Sequence, residues 1–294
     1  MNYMNFEEVH KKIKSRLQIN SLAKGVFFFA TLIGIIVLTI LIYRVFSQSL
    51  GWIDWQFLTG KLSTRAEKAG IMGALLGTLW LMAVVAPVTM FLGVGTAIYL
   101  EEYAKKGPVR SFVQTNINNL AGVPSIVFGL LGLTIFVRGI SLGSVVLSGG
   151  LTMALLVLPI VVVASQEAIR AVPQFLREAS YGMGATKWQT TSKILLPASL
   201  PGILTGVILA LSRAIGETAP LVVIGIPALL LPFPDGLLSK FTVLPMQIYY
   251  WTIDSALVAE YANLAAAAII ILLAALFLMN SIAIIIRNKF QKRY

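Results

Sequence analysis

The sequence predicts an all-α, polytopic membrane protein with six transmembrane helices. Three observations carry that reading. Of 294 residues, 57% are hydrophobic and only 12% charged, which is too apolar for a soluble domain of this length. Apolar stretches recur along the chain, each near or above the roughly 20 residues that span a hydrocarbon core of about 30 Å at about 1.5 Å per residue. Lysine and arginine gather in alternate connecting segments, as they do in loops held on the cytoplasmic side.

The spans follow in order. The first covers about 26–46, preceded by an arm, 1–25, that carries Lys11, Lys12, Lys14, Arg16 and Lys24. A cleaved signal peptide would reach its apolar core sooner, so this span is expected to stay as an anchor. The second, about 71–100, is long enough to tilt or to leave the bilayer. The third lies at about 117–136, the fourth at 144–165, the fifth at 202–223 and the sixth at 263–286. The last five form a core over 70–286, followed by a tail, 287–294. With the N-terminus inside, segments 101–116, 166–201 and 287–294 share its side and hold most of the remaining basic residues, including Lys105, Arg110, Arg177, Lys187, Arg287, Lys292 and Arg293. Both termini are therefore expected in the cytoplasm. Outer segment 224–262 is semi-apolar, and its Tyr249, Tyr250 and Trp251 suit a membrane interface. Pro87, Pro124 and Pro159 permit kinks, while Gly93 and Gly95, and Gly129 and Gly132, fit close helix packing.

Composition also excludes functions. The chain has no cysteine, so disulfides and thiolate metal sites are ruled out. Its single histidine, His10, lies in the arm and leaves no intramembrane Ser-His-Asp triad. The net charge of +11 is accounted for by cytoplasmic loops, so no nucleic-acid partner is expected. No G-x-x-x-x-G-K-[ST] phosphate cradle occurs, and Gly60-Lys61 lacks the first glycine. The chain is not expected to be an enzyme or to hold a cofactor or metal.

Residues 173–201, PQFLREASYGMGATKWQTTSKILLPASLP, form the most informative cytoplasmic segment. Pro173 can open a first short helix, and Gly182 and Gly184 allow a bend. Thr186 with Gln189 makes a T-x-x-Q capping box, so a second helix should start near Lys187. Pro197 and Pro201 are expected to stop that helix and begin the fifth span.

This segment resembles the coupling motif of binding-protein-dependent ABC importers: E-A-A, three residues, G, nine residues, I-x-L-P. Glu178, Ala179, Ser180, Gly184, Ile194, Leu196 and Pro197 stand at its positions, with Ser180 replacing alanine. Further stretches, GTAIYLEEYA at 95–104, NLAGVPSIVFGLLGL at 119–133 and GILTGVILALSRAIGETAPL at 202–221, look like the permeases of phosphate-specific ABC importers, and GETAPL like the second of the two permeases such systems use. The resemblance implies a type I ABC importer permease fold in the inner membrane. It also implies a heterodimer with a related permease, a dimer of separate ATPase subunits that bind ATP and Mg, and an external phosphate-binding protein.

Arg213 and Glu217 break the apolar pattern of the fifth span. Four apart, they would share one face of a continuous helix, roughly 16 Å and 22 Å in from Gly202. A charge at that depth is costly unless it faces protein or water. The pair reads either as an anion site, with Arg213 binding phosphate, Glu217 holding it between ligands and Ser212 and Thr218 beside them, or as a structural ion pair. Glu167 and Arg170, at the cytoplasmic end of the fourth span, read as an inner gate or as a solvated helix end. Alternatives for the chain are an importer of sulfate or molybdate and, more remotely, an ion-coupled secondary transporter.

Overall fold

The computed structural model describes residues 6–227 and 232–290, and all regular structure within them is helical. The first five residues of the arm, and 291–294 with Lys292 and Arg293, lie outside the described residues.

Helix α1, Phe6–Ser49, carries the arm and the first span as one 44-residue rod, so from Phe6 onward the arm is not a separate segment. Such a rod is about 66 Å long and overreaches the hydrocarbon core. It rests against the last helix, and most of its described side chains are exposed. A short helix, α2 (Trp55–Thr59), follows in the loop after it, capped by Asp54, whose carboxylate accepts the Phe57 N–H at 2.6 Å.

Helix α3, Met72–Tyr103, is the second span. At 32 residues, about 48 Å, it exceeds the thickness of a hydrocarbon core, so it tilts or carries its last turns beyond it. Those turns are wound as a π-turn, Tyr99–Tyr103.

The third span departs from expectation. Helices α4 (Pro108–Leu120) and α5 (Ser125–Gly139) meet at a 106° bend, so 117–120 belong to the first and only the second is apolar. Pro124 has no N–H and its ring drives Val123 out of helical geometry, while Gly122 adds freedom beside it. The Gln114–Asn119 stretch of α4 is too polar to be drawn into hydrocarbon.

Helix α6, Val146–Arg170, is the fourth span and the centre of the bundle, packed on α3 and on the fifth span. Val84, Val157, Val161, Ile203, Val207 and Phe241 form the apolar core around it, and Phe57, Trp251, Leu264 and Ala268 form a second cluster. Lipid tails give helices no hydrophobic reason to associate, so close approach through small residues has to do it. A Cβ on Gly206 would meet that of Ala164 at 2.4 Å, and one on Gly132 would meet Thr152 Oγ1 at 2.1 Å. Gly93 and Gly129 are similarly crowded, but Gly95 has nothing within 4 Å. Gly95 instead lines an open groove of about 780 Å³ between α3 and α4 with Phe91, Tyr99, Lys105 and Arg110.

The coupling segment contains α7 (Gln174–Gly182) and the start of α8 (Lys187–Ile215). Pro197 and Pro201 do not separate the second coupling helix from the fifth span; α8 runs through both. A π-turn at Thr191–Leu195 relaxes the winding just before Pro197, where an ideal turn would press the ring onto a carbonyl. The Ser199 and Thr205 hydroxyls donate to the Leu195 and Pro201 carbonyls at 2.8 Å. The fifth span is interrupted elsewhere, at 216–218, before the short helix α9, Ala219–Val223. Beyond it, α10 (Leu244–Asp254) lies in the connecting segment 224–262 and α11 (Glu260–Phe290) is the last span. The Tyr250 hydroxyl of α10 donates to the Ile226 carbonyl at 3.1 Å, and burial, with Tyr249 beside it, raises its pKa above the ordinary phenol value.

Candidate functional site: a broken span and the segment 173–201

The first candidate region is the break in the fifth span. Helix α8 ends at Ile215, and the Gly216 and Glu217 N–H groups close the turn on the Arg213 and Ala214 carbonyls, each at 3.2 Å. Pro220 contributes to the interruption because it has no N–H to continue the ladder. Thr218 caps the new helix through its backbone carbonyl, which accepts the Leu221 and Val222 N–H groups at 3.0 Å. Arg213 thus lies in the last turn of α8, while Glu217 lies beyond it, and the shared helix face expected from their spacing does not form. Among the described residues no ion pair joins them. The Arg213 side chain is exposed on the flank that also bears Leu209, and Glu217 and Thr218 are half-buried.

Ser212 points elsewhere. Its Oγ lies 2.6 Å from Asn280 Oδ1 on α11 and 2.7 Å from the Ile208 carbonyl. A hydroxyl has one proton, so both contacts are satisfied when Ser212 donates to Ile208 and the Asn280 amide is turned to donate to Ser212. Seven residues earlier, on the same face, Thr205 Oγ1 accepts from Arg287 Nη1 at 3.3 Å. Ser212, expected beside the anion site, therefore fastens α8 to α11. Asn280, its partner, carries no motif that sequence reading could have used.

In the coupling segment the expected capping box is present: the Thr186 N–H donates to Gln189 Oε1 at 2.8 Å, and the Gln189 N–H to Thr186 Oγ1 at 3.3 Å. Gly184 ends α7 with φ +80°, the left-handed geometry that glycine tolerates best. Its N–H donates to the Tyr181 carbonyl and that of Ala185 to the Ser180 carbonyl, which completes a Schellman cap. Ser180 is buried with Thr190, their hydroxyls 2.8 Å apart. Because Thr190 gives its proton to the Thr186 carbonyl, Ser180 is the donor. The departure from the alanine of the motif thus clips the two coupling helices together. Glu178, Ala179 and Gly184 stand on the exposed side, flanked by Phe175, Met183 (88% exposed) and Trp188 (67% exposed). Ile194, Leu196 and Pro197 are partly buried where the segment enters the bundle.

Glu167 and Arg170 do meet, at 3.0 Å, but Arg170 is held at 2.7 Å by Glu101, at the end of α3. Glu101 also takes Gln166 Nε2 at 3.0 Å and Arg110 at 3.5 Å, and Gln166 exchanges amide hydrogen bonds with Gln114. Glu102 takes Arg177 at 3.2 Å. Sequence reading assigned no role to Glu101, Glu102, Gln114, Gln166 or Arg177. Their only signal was an acidic pair closing a span on the side where basic residues concentrate.

A helical chain with, among its described residues, five helices long and apolar enough to cross a membrane, or six with the bent pair, and with Phe175, Met183 and Trp188 exposed on the segment 173–201, has the build of a membrane-embedded subunit. The chain belongs to the family described as binding-protein-dependent transport system inner membrane component, which matches residues 89–294. Its relatives include the "Probable ABC transporter permease protein YqgI" of Bacillus subtilis, 35% identical over 69% of this chain and 69% of the relative. The phosphate transport system permease protein PstA 1 of Mycobacterium tuberculosis is 35% identical over 70% and 68%, and PstA of Yersinia pestis 35% over 74% and 71%. Among solved structures, a bacterial ABC transporter involved in import of the polysaccharide alginate superposes with a TM-score of 0.64 at 18% identity, covering 97% of this chain and all of the other. The fold is that of type I ABC importer permeases. Family membership implies a separate ATPase and a substrate-binding protein as partners.

Proposed function

We propose that the chain is the permease subunit of an ATP-driven phosphate importer, the second of two related permeases that together enclose one pathway. The observation that carries the site is Arg213: a permanently charged guanidinium, exposed on a membrane-spanning helix where that helix breaks. Such a charge is stable only against water, an anion or another protein. Its fork of donors suits phosphate oxygens, and half-buried Glu217 can accept from a protonated phosphate or hold the arginine when the path is empty. The phosphate named for the PstA relatives gives the anion its identity. Phe175, Met183 and Trp188 around Glu178, Ala179 and Gly184 supply the apolar docking surface for an ATPase dimer, where ATP and Mg bind. An external phosphate-binding protein delivers phosphate to the outer loops, and both termini lie in the cytoplasm.

The test is ATP-dependent uptake of radiolabelled phosphate by the complete complex reconstituted in vesicles. Uptake that requires ATP, and that excess sulfate or molybdate does not compete away, supports the reading. Uptake of sulfate in preference would transfer it to another oxyanion, and ATP-independent uptake would replace it with ion coupling.

A further inference from the structure

Three consecutive residues tie the cytoplasmic end of α3 to other elements. Glu101 binds Arg110 on α4 and Gln166 and Arg170 on α6. Glu102 takes Arg177 of α7. The ring of Tyr103 lies 5.2 Å from the Nζ of Lys187, the first residue of α8, within cation–π reach. Arg177 also donates to the Ile169 and Val172 carbonyls, at 2.9 Å and 3.0 Å, where α6 ends. Both helices of the coupling segment are thus fastened to α3, and the first is fastened to α6 as well.

The carboxylate ends of these contacts are sheltered, and Arg177 is only 20% exposed. The Glu101 and Glu102 side chains are each 9% exposed, whereas Glu167 is 66% exposed and Arg170 47%. A charge-assisted bond from a sheltered carboxylate resists water and salt better than an exposed pair. The covalent route matters too. Glu102 and Arg177 are 75 residues apart, so no short stretch of chain can transmit a displacement of α7 to α3. The Glu102–Arg177 bond is the direct link between them, beside the route through the 171–173 connection and the packing of α6 on α3.

We propose that Glu102 and Arg177 are positioning residues that join the coupling segment to the cytoplasmic ends of α3 and α6, so that movement imposed by the ATPase is delivered to those helices and not absorbed in the connections at 104–107 and 171–173. This rests on the reading of the chain as an ATP-driven permease. Glu101, with Arg110, Arg170 and Gln166, extends the same joint to α4.

The experiment measures ATP hydrolysed per phosphate imported by the complete reconstituted complex, with Glu102→Gln, Arg177→Gln and the double variant. Uptake should fall about tenfold in each single variant while hydrolysis stays within about twofold, and the double variant should be no worse than either, as expected of directly coupled residues. An assembled Glu102→Gln complex with the unmodified ratio of ATP to phosphate would overturn the proposal. Should Arg177→Gln fail to assemble, Glu102→Gln decides, because it leaves both carbonyl contacts of Arg177 in place. Failure of both to assemble would also overturn it and assign the pair to folding alone. The unmodified complex separates the two readings: no ATP-driven uptake there refutes the permease function, whereas normal uptake with an unchanged ratio in the variants refutes only the joint.

Discussion

The break at Arg213 and the charged joint at the end of α3 use similar residues in opposite ways. At the joint, Glu101 and Glu102 are sheltered and bonded to arginines and an amide of neighbouring elements. At the break, Arg213 is exposed and Glu217 is only half-buried, with no ion pair between them among the described residues. Charges satisfied within one chain hold parts together. A charge left without an ion pair on a spanning helix is stable only against water, an anion or another protein. The comparison also separates neighbours: Ser212, next to Arg213 in sequence, belongs with the fastened residues because its hydroxyl is taken up by Asn280 and Ile208.

The comparison can be broken most directly at Arg213. Arg213→Gln is expected to lower phosphate uptake at least a hundredfold, roughly the loss of a charged partner to a desolvated anion, with the complex still assembled on size-exclusion chromatography. Uptake near normal would place Arg213 among the structural charges and erase the contrast. Next in size is the docking surface. Met183→Asp should weaken binding of the ATPase about tenfold or more, because it places a charge in an apolar contact. Titration of the purified subunits would read this, and unchanged affinity would move the docking face away from the coupling segment. Gly206→Val tests the packing that carries the joint. With the Ala164 Cβ already at 2.4 Å from an added Cβ, it should destabilise by about 1–3 kcal/mol, measured as a lower thermal midpoint in detergent. The smallest effect is expected from Ser212→Ala, near 0.6 kcal/mol, the average for a hydrogen bond between membrane helices, with uptake preserved. A large loss of uptake with unaltered stability would return Ser212 to the pathway.

Several elements were legible in sequence because their causes are local. The Thr186–Gln189 capping box needs only three residues of separation and forms as expected. The motif Gly184 stands at a left-handed position that ends α7, a requirement set by the backbone. The apolar spans follow from the energy of moving side chains into hydrocarbon, a property of composition. Other features escaped because their causes lie far along the chain. Asn280 meets Ser212 across 68 residues, Glu101 meets Arg170 across 69 and Glu102 meets Arg177 across 75. Continuity of α8 through Pro197 was misjudged because a proline reads as a stop, and only a π-turn one step earlier accommodates it.

The sequence by itself determined an all-α membrane chain, the approximate position of its spans, the coupling segment with its caps, and two charged residues out of place in the fifth span. Each follows from transfer energy or short-range backbone chemistry. Tertiary structure alone decided that α4 and α5 fold back by 106°, that Arg213 and Glu217 fall on opposite sides of a helix end, that Ser212 is a fastener, that Glu101 ties α3 to α4 and α6, and that Glu102 and Tyr103 join it to the coupling segment. Those outcomes depend on which side chains meet when separate helices pack. Spacing along one helix is silent about that, because packing is set by the partner surface as much as by the residue itself.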